Sequence, residues 1–144
     1  MKLSTRTRYA VRALIELALN EGNKPLQLKI IAERQGISIK YLEQLIAVLR
    51  SAGFVRSIRG SKGGYLLAKE PDQIVLNGVF HCLEGNVNTA ECVEDENYCG
   101  RAADCAARQV WTKVQQAIEE VLQSITLQDL VDSAKNKEDL NYQI

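Results

Sequence analysis

The chain has 144 residues, of which 46% are hydrophobic and 25% are charged, a balance typical of a folded soluble protein. No apolar run approaches the roughly 20 residues that cross a bilayer, which excludes a membrane-spanning chain and leaves no reason to expect a membrane partner. Arg12 and Glu16 interrupt the N-terminal apolar stretch, so we expect no secretory signal and a cytoplasmic location.

The two halves of the chain carry opposite charges, although the formal net charge is zero. Residues 1–69 hold 13 Lys and Arg against 4 Asp and Glu, whereas residues 70–144 hold 5 basic and 14 acidic residues. A small basic half is typical of a nucleic-acid binder, and the acidic half must then have another task. The alternative is a chance asymmetry of solvated surfaces.

Helical spacing of apolar residues predicts three helices in the basic half, over about 7–20, 28–35 and 39–51. Gly36 makes the turn before the third helix, and Ser38 is a suitable N-cap for it. Two strand-like runs, 54–58 and 65–68, flank a glycine-rich loop and predict a hairpin. This order of elements is that of a winged helix-turn-helix, so we expect residues 1–70 to form a DNA-binding domain.

The acidic half is predicted to be helical around a polar, cysteine-rich segment. Helices are expected over about 74–83 and 106–124, with a short one over 127–134 that begins at a capping box of Thr126 and Asp129. The tail from Lys135 is expected to be loose. The predicted fold is mainly α-helical with a small β-hairpin: a winged domain (1–70), a connecting helix and cysteine-rich loop (71–105), and a dimerisation helix with a C-terminal tail (106–144).

The predicted helix 106–124 carries a continuous apolar stripe at three- and four-residue spacing. Its members are Ala107, Val110, Trp111, Val114, Ala117, Ile118, Val121, Leu122 and Ile125. The chain has few other elements to cover this stripe, so it favours a homodimer that reads two half-sites of double-stranded DNA. Packing of the stripe against the chain's own winged domain is the alternative.

Seven side chains are candidates for DNA contact. They are Lys40, Tyr41, Glu43 and Gln44 of the third helix, and Arg56, Arg59 and Lys62 of the hairpin. Gln44 can pair with adenine, and Glu43 can accept from the amino group of cytosine. Arg59, on a glycine-rich tip, suits a narrow minor groove. The competing interpretations are an ordinary solvated helix face and a solvated surface turn.

Cys92, Cys99 and Cys105 lie in the cysteine-rich loop, separated by six and five residues. This spacing is unlike the two-residue gaps of most structural zinc sites and suits an iron–sulfur cluster held by thiolates. A zinc site, a redox disulfide pair and simply reduced cysteines remain open. Cys82 falls on the apolar face of its helix, where a cysteine is more often a core residue than a ligand.

Several motifs resemble the Rrf family of bacterial transcription regulators, in particular the IscR-type iron–sulfur regulators and relatives that control cysteine metabolism. The motifs are residues 1–10, 36–45, 57–60, 63–67 and 126–130. The resemblance implies a homodimer on a partly palindromic operator, with Glu43, Gln44 and Arg59 at the DNA. It also implies a cluster on the three loop cysteines, because family members that bind a cluster have three cysteines in this loop at nearly this spacing. Members that lack these cysteines regulate cysteine metabolism without a cluster.

The chain departs from the IscR-type pattern at one position, where Arg108 replaces a histidine three residues after the third cysteine. Arginine stays protonated and cannot bind iron, so the fourth ligand is open. Candidates for the fourth ligand are Cys82, whose neighbour is the single histidine His81, Glu91, Asp104 and a group from the partner's first helix. A three-cysteine site with an exchangeable fourth position is also open. We expect a 2Fe–2S rather than a 4Fe–4S cluster.

The expected function is a dimeric regulator, acting as a repressor, whose operator binding follows iron–sulfur or redox status. A cluster-free regulator of cysteine metabolism is one alternative, and a metal or redox module with a protein partner instead of DNA is another. An enzyme is not expected, because the sequence has no paired carboxylates, nucleophile elbow or phosphate loop, and a single histidine.

Overall fold

The computed structural model describes residues 2–20 and 23–142, with side chains as far as residue 137. The elements are α1 (Thr5–Leu19), α2 (Leu28–Gln35), α3 (Ile39–Ser51), β1 (Val55–Ile58), β2 (Gly64–Leu67), α4 (Leu76–Glu84), α5 (Glu91–Glu94), α6 (Ala106–Ser124) and α7 (Leu127–Tyr142). The predicted fold class, mainly α-helical with a small hairpin, is confirmed. No helix in these described ranges has the length and apolar character needed to cross a membrane.

Serine caps set the starts of α1 and α3. The Ser4 hydroxyl accepts a hydrogen bond from the Thr7 amide at 3.2 Å, and the Ser38 hydroxyl accepts one from the Tyr41 amide at 3.1 Å. Gly36 adopts the left-handed conformation, with φ of 66°, that ends α2 and turns the chain toward α3. The predicted helix-turn-helix is therefore present, with α3 in the recognition position.

The hairpin is antiparallel and tied to the connection between α1 and α2. β1 pairs with β2 from Val55–Leu67 to Ile58–Gly64, and Leu26 exchanges two backbone hydrogen bonds with Tyr65, at 2.9 and 3.0 Å. Gly64 makes this docking possible: a Cβ there would lie 2.7 Å from the Leu26 backbone. The wing is thus anchored on a rigid part of the domain.

The hydrophobic core continues from the winged domain into the C-terminal half. α1 packs against α4 and α7, so Ile74, Val79, Leu83 and Leu127 join the same buried cluster as Leu14. α6 lies against α4 but has no buried residue of its own. α6 is therefore held to the rest of the chain only on the side that faces α4.

The structure differs from the predicted elements mainly in the C-terminal half, where the cysteine loop, expected to be irregular, contains the short helix α5. The tail from Lys135, expected to be loose, continues α7 to Tyr142, because no Gly or Pro follows Ala134 within the helix and the capping box starts it firmly. That box is confirmed: the Thr126 amide donates to Asp129 Oδ2 at 2.9 Å, and the Asp129 amide donates to Thr126 Oγ1 at 3.3 Å. The helix predicted over 74–83 begins later, at Leu76, after a 3₁₀ turn over Pro71–Gln73.

Candidate nucleic-acid interface and cysteine loop

α3 presents one polar face to solvent. Its buried side consists of Leu42, Leu45, Ile46 and Leu49. Lys40, Glu43 and Gln44 are exposed on the opposite side, and Tyr41 is half-buried. Among the described side chains no ion pair involves Lys40 or Glu43, so both charges are available to another molecule. These four predicted contact residues occupy a single helix face, as a recognition helix requires.

The wing carries the other three predicted contact residues. Arg56 lies on β1, and Arg59 and Lys62 lie on the tip between the strands, all exposed. The tip is a tight turn in which the Gly63 amide donates to the Gly60 carbonyl at 3.0 Å. A Cβ on Gly63 would lie 2.2 Å from the Ile58 carbonyl oxygen, so the turn excludes larger residues there. Two cations are therefore displayed on a narrow tip that can enter a groove.

The three loop cysteines differ in their local structure and exposure. Cys92 lies in α5 and is half-buried, Cys99 is exposed, and Cys105 is half-buried at the N-cap of α6; all three are free thiols. Over residues 2–20 and 23–137, no group of three His, Cys, Asp or Glu side chains is arranged to hold a metal. Three cysteine thiols in one loop nevertheless fit an iron–sulfur cluster by their chemistry.

Arg108 fastens this loop to α6. Its Nε donates to the Cys92 carbonyl at 2.8 Å, and its Nη2 lies 3.9 Å from Glu96 Oε1. Thr89 adds a second attachment, because its hydroxyl donates to the Trp111 carbonyl at 2.8 Å. Sequence reasoning treated Arg108 only as a missing ligand and did not foresee that it joins the first cysteine to the helix that follows the third.

Cys82 lies on α4, outside the cysteine loop. Its thiol donates to the Val79 carbonyl at 3.1 Å, and its side chain is partly buried against the hydrophobic core. Burial raises the pKa of the Cys82 thiol above its ordinary value. A protonated, partly buried thiol is suited to core packing, and this favours the structural interpretation over a ligand role.

Glu84 is a connecting residue that the sequence did not indicate. Its Oε1 accepts from the Ser4 amide at 2.9 Å and from the Thr7 hydroxyl at 2.6 Å. Interactions with Ser4 and then with the Thr7 hydroxyl lower the pKa of the Glu84 carboxyl. The carboxylate thus joins the end of α4, where the cysteine loop begins, to the start of α1. The one sequence feature that pointed to this contact was Thr7, a polar residue on the apolar face of α1.

Comparison with known proteins decides the family. The model of the Rrf2 family, described as iron-dependent transcriptional regulators, matches residues 3–133. The chain belongs to the Rrf2 family. The resemblance stated from the sequence motifs is therefore confirmed, and the Rrf2 regulators are DNA-binding transcription factors rather than enzymes.

Relatives of both expected kinds share this Rrf2 architecture. The regulator CymR of Bacillus subtilis is 45% identical over 130 residues, covering 90% of this chain and 89% of CymR. IscR of Sodalis glossinidius is 40% identical over 133 residues, covering 92% and 80%. The solved structure of CymR, the global cysteine regulator of B. subtilis, has a TM-score of 0.80 at 43% identity, over 92% of this chain and 98% of its own. That of T. potens IscR has a TM-score of 0.76 at 46% identity, over 93% and 88%.

Proposed function

We propose that this Rrf2 protein is a cytoplasmic, homodimeric repressor whose operator binding is controlled by an iron–sulfur cluster on Cys92, Cys99 and Cys105. One observation carries the proposal. The loop that holds all three thiols connects α4, which shares its core with the winged domain, to α6, which does not. A change in this loop can therefore alter how α6 is arranged relative to the winged domain. The proposed division of the chain is a winged domain (1–70), a connecting helix and cysteine loop (71–105), and a dimerisation helix with its tail (106–144).

The proposed DNA contacts combine the helix face with the wing. Gln44 would pair with adenine, Glu43 would accept from cytosine, and Arg59 would enter the minor groove. Lys40, Tyr41, Arg56 and Lys62 would hold the phosphates and the register. Support comes from exposure: six of these seven side chains are exposed, and Tyr41 is half-buried on the same face of α3.

The exposed stripe of α6 supports a dimer. Val110, Trp111, Val114 and Val121 are 51%, 44%, 43% and 57% exposed, respectively, on a helix without a buried residue. A large apolar strip of this kind is typical of a surface that another molecule covers. A second copy related by a two-fold axis would cover it and would present two recognition helices to a palindromic operator.

The cluster would be bound by the three thiolates, and we favour the 2Fe–2S type. An iron–sulfur cluster supplies a redox-active centre whose potential depends on nearby charge and hydrogen bonding. The chain's own contribution is to hold the loop, since Arg108 donates a hydrogen bond to the Cys92 carbonyl. Arg108 cannot itself bind iron, so the fourth ligand must come from another group.

The test is anaerobic reconstitution with iron and sulfide. We expect the wild-type protein to take up about two irons per chain and to develop visible absorption, as a 2Fe–2S cluster requires. Cys92→Ser, Cys99→Ser and Cys105→Ser should each abolish this, whereas the matched control Cys82→Ser should not. Binding to a duplex selected by the wild-type protein from a random library should then differ between loaded and metal-free protein.

A cluster-free regulator of cysteine metabolism is the second candidate. It is favoured by the likeness to CymR. For this candidate, the wild-type protein stays colourless after reconstitution, and the three cysteine variants bind the selected duplex like wild type. The two functions therefore predict opposite outcomes of the same experiment.

A further inference from the structure

An aromatic contact joins α1 to the first turn of the recognition helix. The rings of Tyr9 and Tyr41 meet edge to face, with centroids 6.3 Å apart and planes at 86°. The Arg12 guanidinium lies over the Tyr9 ring, 5.5 Å from its centroid. Tyr9 and Tyr41 are half-buried and Arg12 is exposed, so the three side chains lead from solvent to the start of α3.

Tyr41 is therefore held at two points. Its amide donates to the Ser38 cap, which fixes its backbone, and the Tyr9 ring restricts its side chain. Edge-to-face rings are a favoured aromatic geometry, and a cation over one ring adds to the attraction. Lys40, Glu43 and Gln44 lie within three residues of Tyr41 on α3. A fixed Tyr41 therefore also helps to fix their approach to DNA.

We propose that Tyr9, held by Arg12, is a positioning residue for DNA recognition that acts through Tyr41. This inference rests on the proposed contact set, because it requires Tyr41 to lie at the DNA. A tyrosine that is already restrained in the free protein loses less side-chain freedom on binding. Removing the Tyr9 ring should therefore weaken specific binding without any loss of a direct contact.

The experiment is a double-mutant cycle on the full-length protein. Affinity is measured by fluorescence anisotropy with a duplex selected by the wild-type protein from a random library. We expect Tyr9→Ala to weaken binding roughly three- to tenfold, the range of an aromatic pair. The same change should have no further effect in a Tyr41→Ala background, whereas Tyr9→Phe, which keeps the ring, should bind like wild type.

Three outcomes overturn the inference. Equal losses from Tyr9→Ala in the wild-type and Tyr41→Ala backgrounds would show that Tyr9 acts independently, and a full loss in Tyr9→Phe would show that the ring contact is not the cause. An unchanged affinity in Tyr41→Ala would remove Tyr41 from the contact set, so that part of the proposed function would fail together with this inference.

Arg12→Ala provides a second test that does not disturb the core, since Arg12 is exposed. If Arg12 acts through Tyr9, its removal should weaken binding less than Tyr9→Ala does, and the effect should disappear in a Tyr9→Ala background. The salt dependence of binding should stay as in wild type. A lost phosphate contact would instead reduce the salt slope by about one unit, and that result would contradict the positioning role.

Discussion

Arg59 is the single residue on which the wing assignment depends most directly. It is exposed on a tight tip with glycine on its C-terminal side, so its guanidinium has free access to a groove. We predict that Arg59→Ala weakens binding to a selected duplex by about 1–3 kcal/mol, or roughly fivefold to 150-fold. The matched control is Arg101→Ala, which removes an equal charge from the acidic cysteine loop; equal effects of the two changes would contradict the wing assignment.

Glu84 leads to a prediction about pH. Its pKa is lowered in the folded protein by Ser4 and Thr7, so the ionised carboxylate adds stability above its unfolded pKa of about 4.3. That contribution is lost as the pH falls through the lower folded-state pKa. Urea unfolding should therefore show that Glu84→Gln is less stable than wild type near pH 7, with a difference that shrinks toward pH 3.

The control for this prediction is Glu33→Gln, which changes an exposed carboxylate on α2. It should leave the pH dependence of unfolding close to that of wild type. A difference between Glu84→Gln and wild type that stays constant from pH 7 to pH 3 would mean that the loss comes from altered contacts with Ser4 and Thr7, and that the charge of Glu84 has no part.

At the scale of elements, the start of α7 is set by the reciprocal cap between Thr126 and Asp129. Thr126→Val keeps the shape of the side chain and removes the hydroxyl acceptor, so we predict a loss of about 1 kcal/mol in the free energy of unfolding. Asp132→Ala is the comparison, since its exposed contact with Gln128 at 2.8 Å contributes only about 0.2–0.5 kcal/mol. Urea denaturation of both variants measures the difference.

At the scale of the whole molecule, the exposed stripe of α6 governs assembly. Val110→Glu combined with Val114→Glu places two charges in the proposed interface, where desolvation opposes association. We predict a monomer at micromolar concentration by sedimentation, with binding to the selected duplex weakened at least about tenfold through lost avidity. Gln109→Glu combined with Gln116→Glu adds the same charge to exposed positions of the same helix and should remain dimeric.

Local features of the chain were predictable from the sequence to different degrees. The bounds of α6 and the box at Thr126 were correct, because helical periodicity and caps depend on residues within a few positions. The exposed face of α3 followed from its buried stripe for the same reason. The end of α7 was wrong, since the polar composition after Ala134 suggested a loose tail although it contains no helix-breaking residue.

The contacts that define the candidate site were beyond such reasoning. The Glu84 carboxylate meets Ser4 across 80 positions, Arg108 reaches the Cys92 carbonyl across 16, and Gly64 lies against the backbone of Leu26. No periodicity marks these pairs, because each depends on where the packing of separate elements places the partner. The same is true of Tyr9, whose ring could have been an ordinary core residue of α1.

The sequence by itself thus determined the winged helix-turn-helix, the split of charge, the long amphipathic helix and the three cysteines of one loop. These are properties of short segments and of composition, and they are decided by local propensity and burial pattern. The tertiary structure alone decided that Glu84 ties the end of α4 to α1, that Arg108 ties the cysteine loop to α6, and that part of the α6 stripe is uncovered. Packing of distant elements sets these relations, and packing is a property of the folded chain as a whole.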